Sequence, residues 1–144
     1  MILSKQLLLS DDQAVTVTAL STNVIDLGVA ATPYRGVAPL NRDLGKGTPV
    51  PFLIQVTEDF VGLTSVTATL EVSDNEDMSA STVLNTELML LADLVAGKQA
   101  YMQYLPNGVT QRYLAVRYTV AGTATAGKFT TGVTMGNQTN TTGA

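Results

Sequence analysis

Arg112-Tyr113-Leu114-Ala115-Val116-Arg117-Tyr118-Thr119-Val120-Ala121-Gly122 is the stretch whose reading decides the fold class. Leu114, Val116, Tyr118 and Val120 fall on one side of an extended chain, and Tyr113, Ala115, Arg117 and Thr119 on the other. A period of two of this kind defines a half-buried strand. Leu105-Pro106-Asn107-Gly108 supplies a turn before it, and the Gly/Ala/Thr segment around Gly122 and Gly127 predicts a turn after it. A second alternating run, Lys128 to Met135, follows. The unit of strand, small-residue turn and strand recurs along most of the chain.

Working outward, Ala14 to Leu20 alternates Val15, Val17 and Ala19 against Thr16 and Thr18 and reads as the first clear strand. Val24 to Leu27 reads as a short second one, closed by Gly28. Pro51 to Glu58 is apolar on both faces at its start, through Phe52, Leu53, Ile54 and Val56, and so reads as a covered strand. A turn is expected over 58–64. Ser65 to Ser73 then points Val66, Ala68, Leu70 and Val72 inward and Thr67, Thr69 and Glu71 outward. Ser81 to Leu90 reads as a strand, although Leu84, Leu88 and Leu91 also fit helical spacing. Gln99 to Leu105 is a further expected strand. Residues 1–13 read as an N-terminal arm or edge strand, 14–135 as the β body, and the Gly/Asn/Thr-rich residues 136–144 as a flexible tail. The tail's two Asn-x-Thr triplets, lacking a secretory signal, read as chance matches to a glycosylation site.

At 144 residues the chain fits one domain, burying about 68% of its unfolded surface. A formal net charge of −4 disfavours a nucleic-acid backbone as the main partner, because phosphate binding needs clustered Lys and Arg. Cysteine and histidine are both absent. Disulfides, thiolate metal sites and cysteine nucleophiles are thereby excluded, as are the commonest general base and metal ligand. Leu7–Leu9 is too short for a signal-peptide core of about 7–15 residues. No apolar run reaches the roughly 18 residues of a membrane span. The expectation is a protein made and used in water.

Three stretches invite a functional reading. Residues 29–49 break the strand pattern with Pro33, Gly36, Pro39, Gly45, Gly47 and Pro49, and a connection longer than about 12–15 residues suggests a functional or partner-ordered loop. It gathers Arg35, Arg42 and Lys46 against a single acid, Asp43, so it reads either as a contact loop for an acidic partner or as a solvated connection. Ser73-Asp74-Asn75-Glu76-Asp77 is the one carboxylate cluster, but it lacks calcium-loop spacing and reads as a solvated turn, with no metal placed there. The tyrosines at 101, 104, 113 and 118 could form a stacking platform, or simply pack the sheet.

About eight strands at short spacing, without a convincing long helix, predict an all-β, two-sheet antiparallel sandwich, a jelly roll. An up-and-down barrel or immunoglobulin-like sandwich fits nearly as well. Leu9-Ser10-Asp11-Asp12-Gln13-Ala14-Val15-Thr16, Ser21-Thr22-Asn23-Val24-Ile25-Asp26-Leu27-Gly28, Arg42-Asp43-Leu44-Gly45-Lys46-Gly47, the run 69–75, and Leu105-Pro106 followed by Arg112-Tyr113-Leu114, together with Met1-Ile2-Leu3, resemble the Bbp16-like capsid cement proteins of tailed bacteriophages. The resemblance implies a jelly-roll protein on the outer surface of an HK97-type shell in the virion, assembled in the host bacterial cytoplasm. It implies a homo-oligomer, with a dimer favoured over a trimer, that clamps neighbouring major capsid subunits. It implies no catalytic residue, no cofactor and no nucleic-acid or membrane partner. On that reading Arg35, Arg42 and Lys46 would meet shell carboxylates. Leu7, Leu8 and Leu9 would bury apolar surface on a neighbour, unless they form a first strand of the same domain. The alternative is a carbohydrate-binding jelly roll of a phage tail or receptor-binding structure. It is disfavoured by an aromatic content of 6% and no Trp. A glycosidase is third, because nothing sets two carboxylates opposite each other at a working separation.

Overall fold

The computed structural model describes residues 3–136. Six strands form one antiparallel sheet: β1 (Leu3–Ala14), β2 (Ala19–Leu20), β3 (Ile25–Asp26), β4 (Phe52–Ser73), β5 (Thr82–Leu90) and β6 (Tyr113–Thr134). The order is β1-β6-β4-β5, with β2 and β3 also pairing with β6, and the sheet is not closed. A single 3-10 turn at Leu91–Asp93 is the only helical element among the described residues.

The sheet is organised by the pairing of β4 with β6, each 22 residues long. A straight strand of that length would span about 70 Å. Yet the Tyr118 ring stacks on Phe129 of the same strand, with centroids 5.0 Å apart. The Tyr118 hydroxyl also lies 2.7 Å from Thr131 Oγ1. The paired strands therefore fold back, and the two halves of one sheet face each other. The corner is where the β4–β6 register slips four times between Val56 and Ser65, and such bulges bend a strand and sharpen its twist. Opposite them stand Gly122 and Gly127 with φ of +103° and +134°. At Gly127 the need for glycine is steric as well, because a Cβ there would sit 2.1 Å from the Phe60 ring.

One half of the folded sheet joins β1, residues 128–134 of β6 and residues 52–58 of β4. The other joins β2 and β3, residues 113–121 of β6, residues 65–73 of β4, and β5. Phe52, Ile54, Val56 and Phe129 from the first half and Val66, Leu70, Val72, Leu114, Val116 and Tyr118 from the second make one apolar core. The buried hydroxyl of Tyr118 is accommodated by Thr131 and by Ser10 Oγ at 2.9 Å, and Ser10 in turn donates to Gln13 Oε1 at 2.7 Å. Burial without such partners would cost about 1–3 kcal/mol. Burial also pushes the phenol's pKa up to about 12.

Several expectations change against this architecture. The fold is all-β, but the described strands form one six-stranded sheet rather than two separate sheets. The turns expected over 58–64 and around 122–127 are the bulged corner of continuous strands, across which pairing persists. The strand expected over 14–20 is split: β1 ends at Ala14, Val15 is fully buried, Val17 is exposed, and pairing resumes at Ala19. Ala14 pairs with Lys128 and Ala19 with Tyr118, so residues 15–18 carry the chain around the same corner. Residues 3–13 of the stretch read as an N-terminal arm or edge strand belong to β1, an outer strand of the sheet. Residues 99–105 form no regular strand. They lie along the free edge of 52–56 through isolated bridges at Tyr104 and Gln99 and bonds such as Ala100 N–H to Ile54 O at 2.9 Å. Met1, Ile2 and the expected tail from 137 onward lie outside the described residues.

Candidate functional site

The loop of residues 29–49 divides into an anchored base and a free tip. Arg42 holds the base. Its Nη2 donates to Leu27 O at 3.0 Å and Gly28 O at 2.7 Å, and Nη1 to Gln111 O at 3.4 Å. Asp43 accepts from Gly108 N–H at 2.9 Å, and Leu44 N–H reaches Val109 O. Gly45 lies so close to the 106–107 peptide that a Cβ would meet Pro106 O at 1.8 Å. The base is thus docked on the turn that precedes β6. Residues 29–41 are exposed or nearly so throughout and carry only local turns, Gly36 N–H to Pro33 O and Leu40 N–H to Ala31 O. Tyr34, Val37 and Leu40 stand in solvent, Tyr34 at 90% exposure, an unfavourable arrangement for an isolated surface. The Arg35 guanidinium lies 5.3 Å from the Tyr34 ring centroid, within cation–π range. A shallow open groove of about 830 Å³ runs between tip and base, lined by Leu40, Arg42, Asp43, Lys46 and Thr110 among others.

Three cations outside the loop are paired with carboxylates. Arg112 is bidentate on Asp26, at 2.8 and 2.7 Å. That bond, with the Gly28 N–H, lowers the Asp26 pKa to about 2. Arg117 is bidentate on the buried Glu71, which also accepts from Ser81 Oγ. Lys128 bridges Glu58 and Asp12 at 2.9 and 3.3 Å. Arg35 and Lys46, like Lys5 and Lys98, have no carboxylate partner among the described residues. The residues singled out in sequence are therefore not equivalent: Arg42 is occupied by main-chain carbonyls, whereas Arg35 and Lys46 are available. Leu9 is fully buried in the core and Leu8 nearly so, while Leu7 is partly exposed. While β1 stays paired, only Leu7 of the three faces outward.

A second surface was not singled out in the sequence. β5 ends the sheet, and Val83, Leu88 and Leu90 on it are exposed. The acidic stretch 74–77 behaves as a turn, with Asp77 accepting from Ser79 N–H and Oγ and Asp74 facing Gln111 and Arg112. Among the described residues no group of three or more Asp or Glu could hold a metal ion.

Three of the cations are bound to carboxylates across the strands, and exposed apolar side chains occur on the loop of residues 29–49 and along β5, among other places. The Bbp16 family model matches residues 9–133, and the chain belongs to that family. Bbp16 is a structural phage protein family, and membership implies, in general terms, a capsid decoration or cement role in the phage virion. No curated protein matches the chain.

Proposed function

We propose that the protein is a cement protein that binds the outer face of an assembled HK97-type shell and clamps neighbouring major capsid subunits. Family membership over the body of the chain carries this reading. The loop of residues 29–49 supplies the contact. Its tip offers Tyr34, Val37 and Leu40 to an apolar recess and Arg35 to a carboxylate at the rim, Lys46 adds a second cation from the base, and Arg42 fixes the base and so lowers the ordering cost of binding. A protein that binds only the assembled lattice stabilises it by mass action. A body that meets two subunits makes the second contact effectively intramolecular. We also read the folded sheet as a jelly roll in which each long strand serves both layers. Counting β4 and β6 twice, β2 with β3 as one, and residues 98–105 as an irregular strand gives about eight.

The test is co-sedimentation of the purified chain with expanded and unexpanded shells. Saturable binding to expanded shells, weakened by Tyr34→Ser and Leu40→Ser and by rising salt, is the expected result. Absence of wild-type binding to either shell would overturn the cement reading. Undiminished binding by the tip variants would instead move the contact elsewhere on the body.

A further inference from the structure

Asn107-Gly108 is the one Asn-Gly dipeptide in the chain, and it is a chemical liability imposed by the turn before β6. Gly108 has φ of +103°, a conformation open to glycine and strained for other residues. Asparagine suits the position before it, because its side chain can bond the local backbone of a turn. Glycine is also the neighbour that leaves an asparagine amide most open to attack, since no side chain screens its nitrogen. In that reaction the Gly108 nitrogen gives up its proton to solvent and bonds to Asn107 Cγ. The Cγ–Nδ2 bond breaks, ammonia leaves, and a cyclic imide remains. Water then opens the ring at either carbonyl, giving aspartate or an isoaspartate whose main chain is one carbon longer. The balance is amide plus water to carboxylate plus ammonium, with no oxidant or reductant.

Asn107 is exposed, so water reaches its amide. The attacking nitrogen, however, is held: Gly108 N–H donates to Asp43 Oδ1 at 2.9 Å. A carboxylate in that place opposes the reaction twice. It binds the proton that must leave, and its charge disfavours the negative charge that develops on the nitrogen as the proton departs. The loop base fixes the turn further, with Leu44 N–H on Val109 O and Gly45 against the 106–107 peptide. Asp43 and Gly45 both belong to the loop of residues 29–49, so this protection lasts only while the loop base is docked. We propose that Asn107 is a site of spontaneous deamidation guarded by Asp43: undocking of the loop base opens the site, and the product keeps the base undocked. An aspartate at 107 adds a second carboxylate next to the amide that Asp43 holds. An isoaspartate lengthens the main chain where one extra carbon on Gly45 would already meet Pro106 O at 1.8 Å. The reaction needs only water, so its test stands apart from that of the cement reading.

The experiment ages the full chain in mildly alkaline buffer, folded and in urea, and follows conversion at 107 by peptide mass and isoaspartate content. In urea Asn107 should convert faster than every other asparagine, and folding should slow it. Folded Asp43→Ala, with far-UV circular dichroism unchanged, should convert roughly tenfold faster than folded wild type. That ratio corresponds to about 1.4 kcal/mol, the low end for a hydrogen bond to a charged group. Arg42→Gln, which loosens the base but keeps Asp43, should accelerate conversion as well, and it decides alone if Asp43→Ala does not fold. The converted wild-type chain, separated by its added charge on an anion exchanger, should be cut by trypsin at Arg35 and Lys46 several-fold faster than the unconverted chain. Folded wild type converting as fast as in urea, or variants converting no faster than wild type, would overturn the guarding role of Asp43. Unchanged tryptic cleavage of the converted chain would overturn the coupling to the loop.

Discussion

Gly127→Ala should be among the most damaging single-methyl additions in this protein. The reason lies in the corner of the folded sheet. Two effects add at this residue. Its φ of +134° is a conformation that side-chain-bearing residues rarely adopt, and holding alanine there costs about 1–3 kcal/mol. The new methyl would also sit 2.1 Å from Cδ1 and 2.3 Å from Cγ of Phe60. That ring cannot swing freely: it is 5% exposed and packs on Phe129 at a centroid distance of 4.8 Å. Forcing extra volume into such a core costs a further ~1–3 kcal/mol. A total of about 3–4 kcal/mol is a large fraction of the 5–15 kcal/mol that holds a typical domain folded.

Gly97→Ala isolates the backbone contribution. Gly97 has φ of +90°, and a methyl group added there would find no atom within 4 Å, so the alanine variant should lose only about 1–2 kcal/mol. Urea unfolding followed by far-UV circular dichroism gives both values from midpoints at constant m. In a double-mutant cycle, Phe60→Leu should couple to Gly127→Ala by about 1–3 kcal/mol, because removing the ring removes the collision. A Gly127→Ala cost no larger than that of Gly97→Ala, together with zero coupling, would refute the reasoning. Phe60 would then not lie over Gly127, and the sheet would not turn where the bulges are.

Tyr118→Phe should lose about 1–2 kcal/mol by leaving Thr131 and Ser10 without their shared partner. Since the folded-state pKa of Tyr118 is raised from 10.0 to about 12, this group's contribution to stability is full below pH 10. It is lost as pH rises through 12, a decline that urea midpoints should show in wild type and not in Tyr118→Phe. Asp26 runs the other way: its pKa is lowered from 3.8 to about 2, so its contribution is present above pH 3.8 and lost as pH falls through 2. Asp26→Asn should flatten that part of an acid titration, and added salt should shrink the difference because both partners are exposed. Arg42→Gln removes three bonds to main-chain carbonyls and should raise the rate of tryptic cleavage at Arg35 and Lys46 several-fold. Unchanged cleavage would mean that the loop base is held by other contacts.

The alternation of Leu114, Val116, Tyr118 and Val120, and of Val66, Ala68, Leu70 and Val72, made the fold class and the core face legible in the sequence, because a strand with one buried side must repeat every two residues. The corner was not legible in the same way. Small residues such as Gly122 and Gly127 serve a hairpin turn and a bulged bend alike, and only the partner's register distinguishes them. β1 was obscured by its own bulges, which bury Leu8, Leu9 and Ser10 in succession and erase the alternation. Residues 99–105 show the opposite failure, since they alternate in sequence yet bridge β4 only at isolated points. For the surfaces, the length and charge of residues 29–49 marked the loop, but the role of Arg42 depends on carbonyls at 27, 28 and 111 that carry no sequence signature. β5 as an edge depends on strand order, which periodicity does not encode.

Placing the cationic, apolar loop tip and the β5 edge on different elements has a physical consequence. Neither surface draws on the core, which lies between the sheet halves, so each can be weakened without unfolding the body. If the tip holds the shell, tip variants should lower the affinity of each contact and change its response to salt while leaving the urea midpoint of the body unchanged. A tip variant that shifted that midpoint would show that the loop shares the stability of the core.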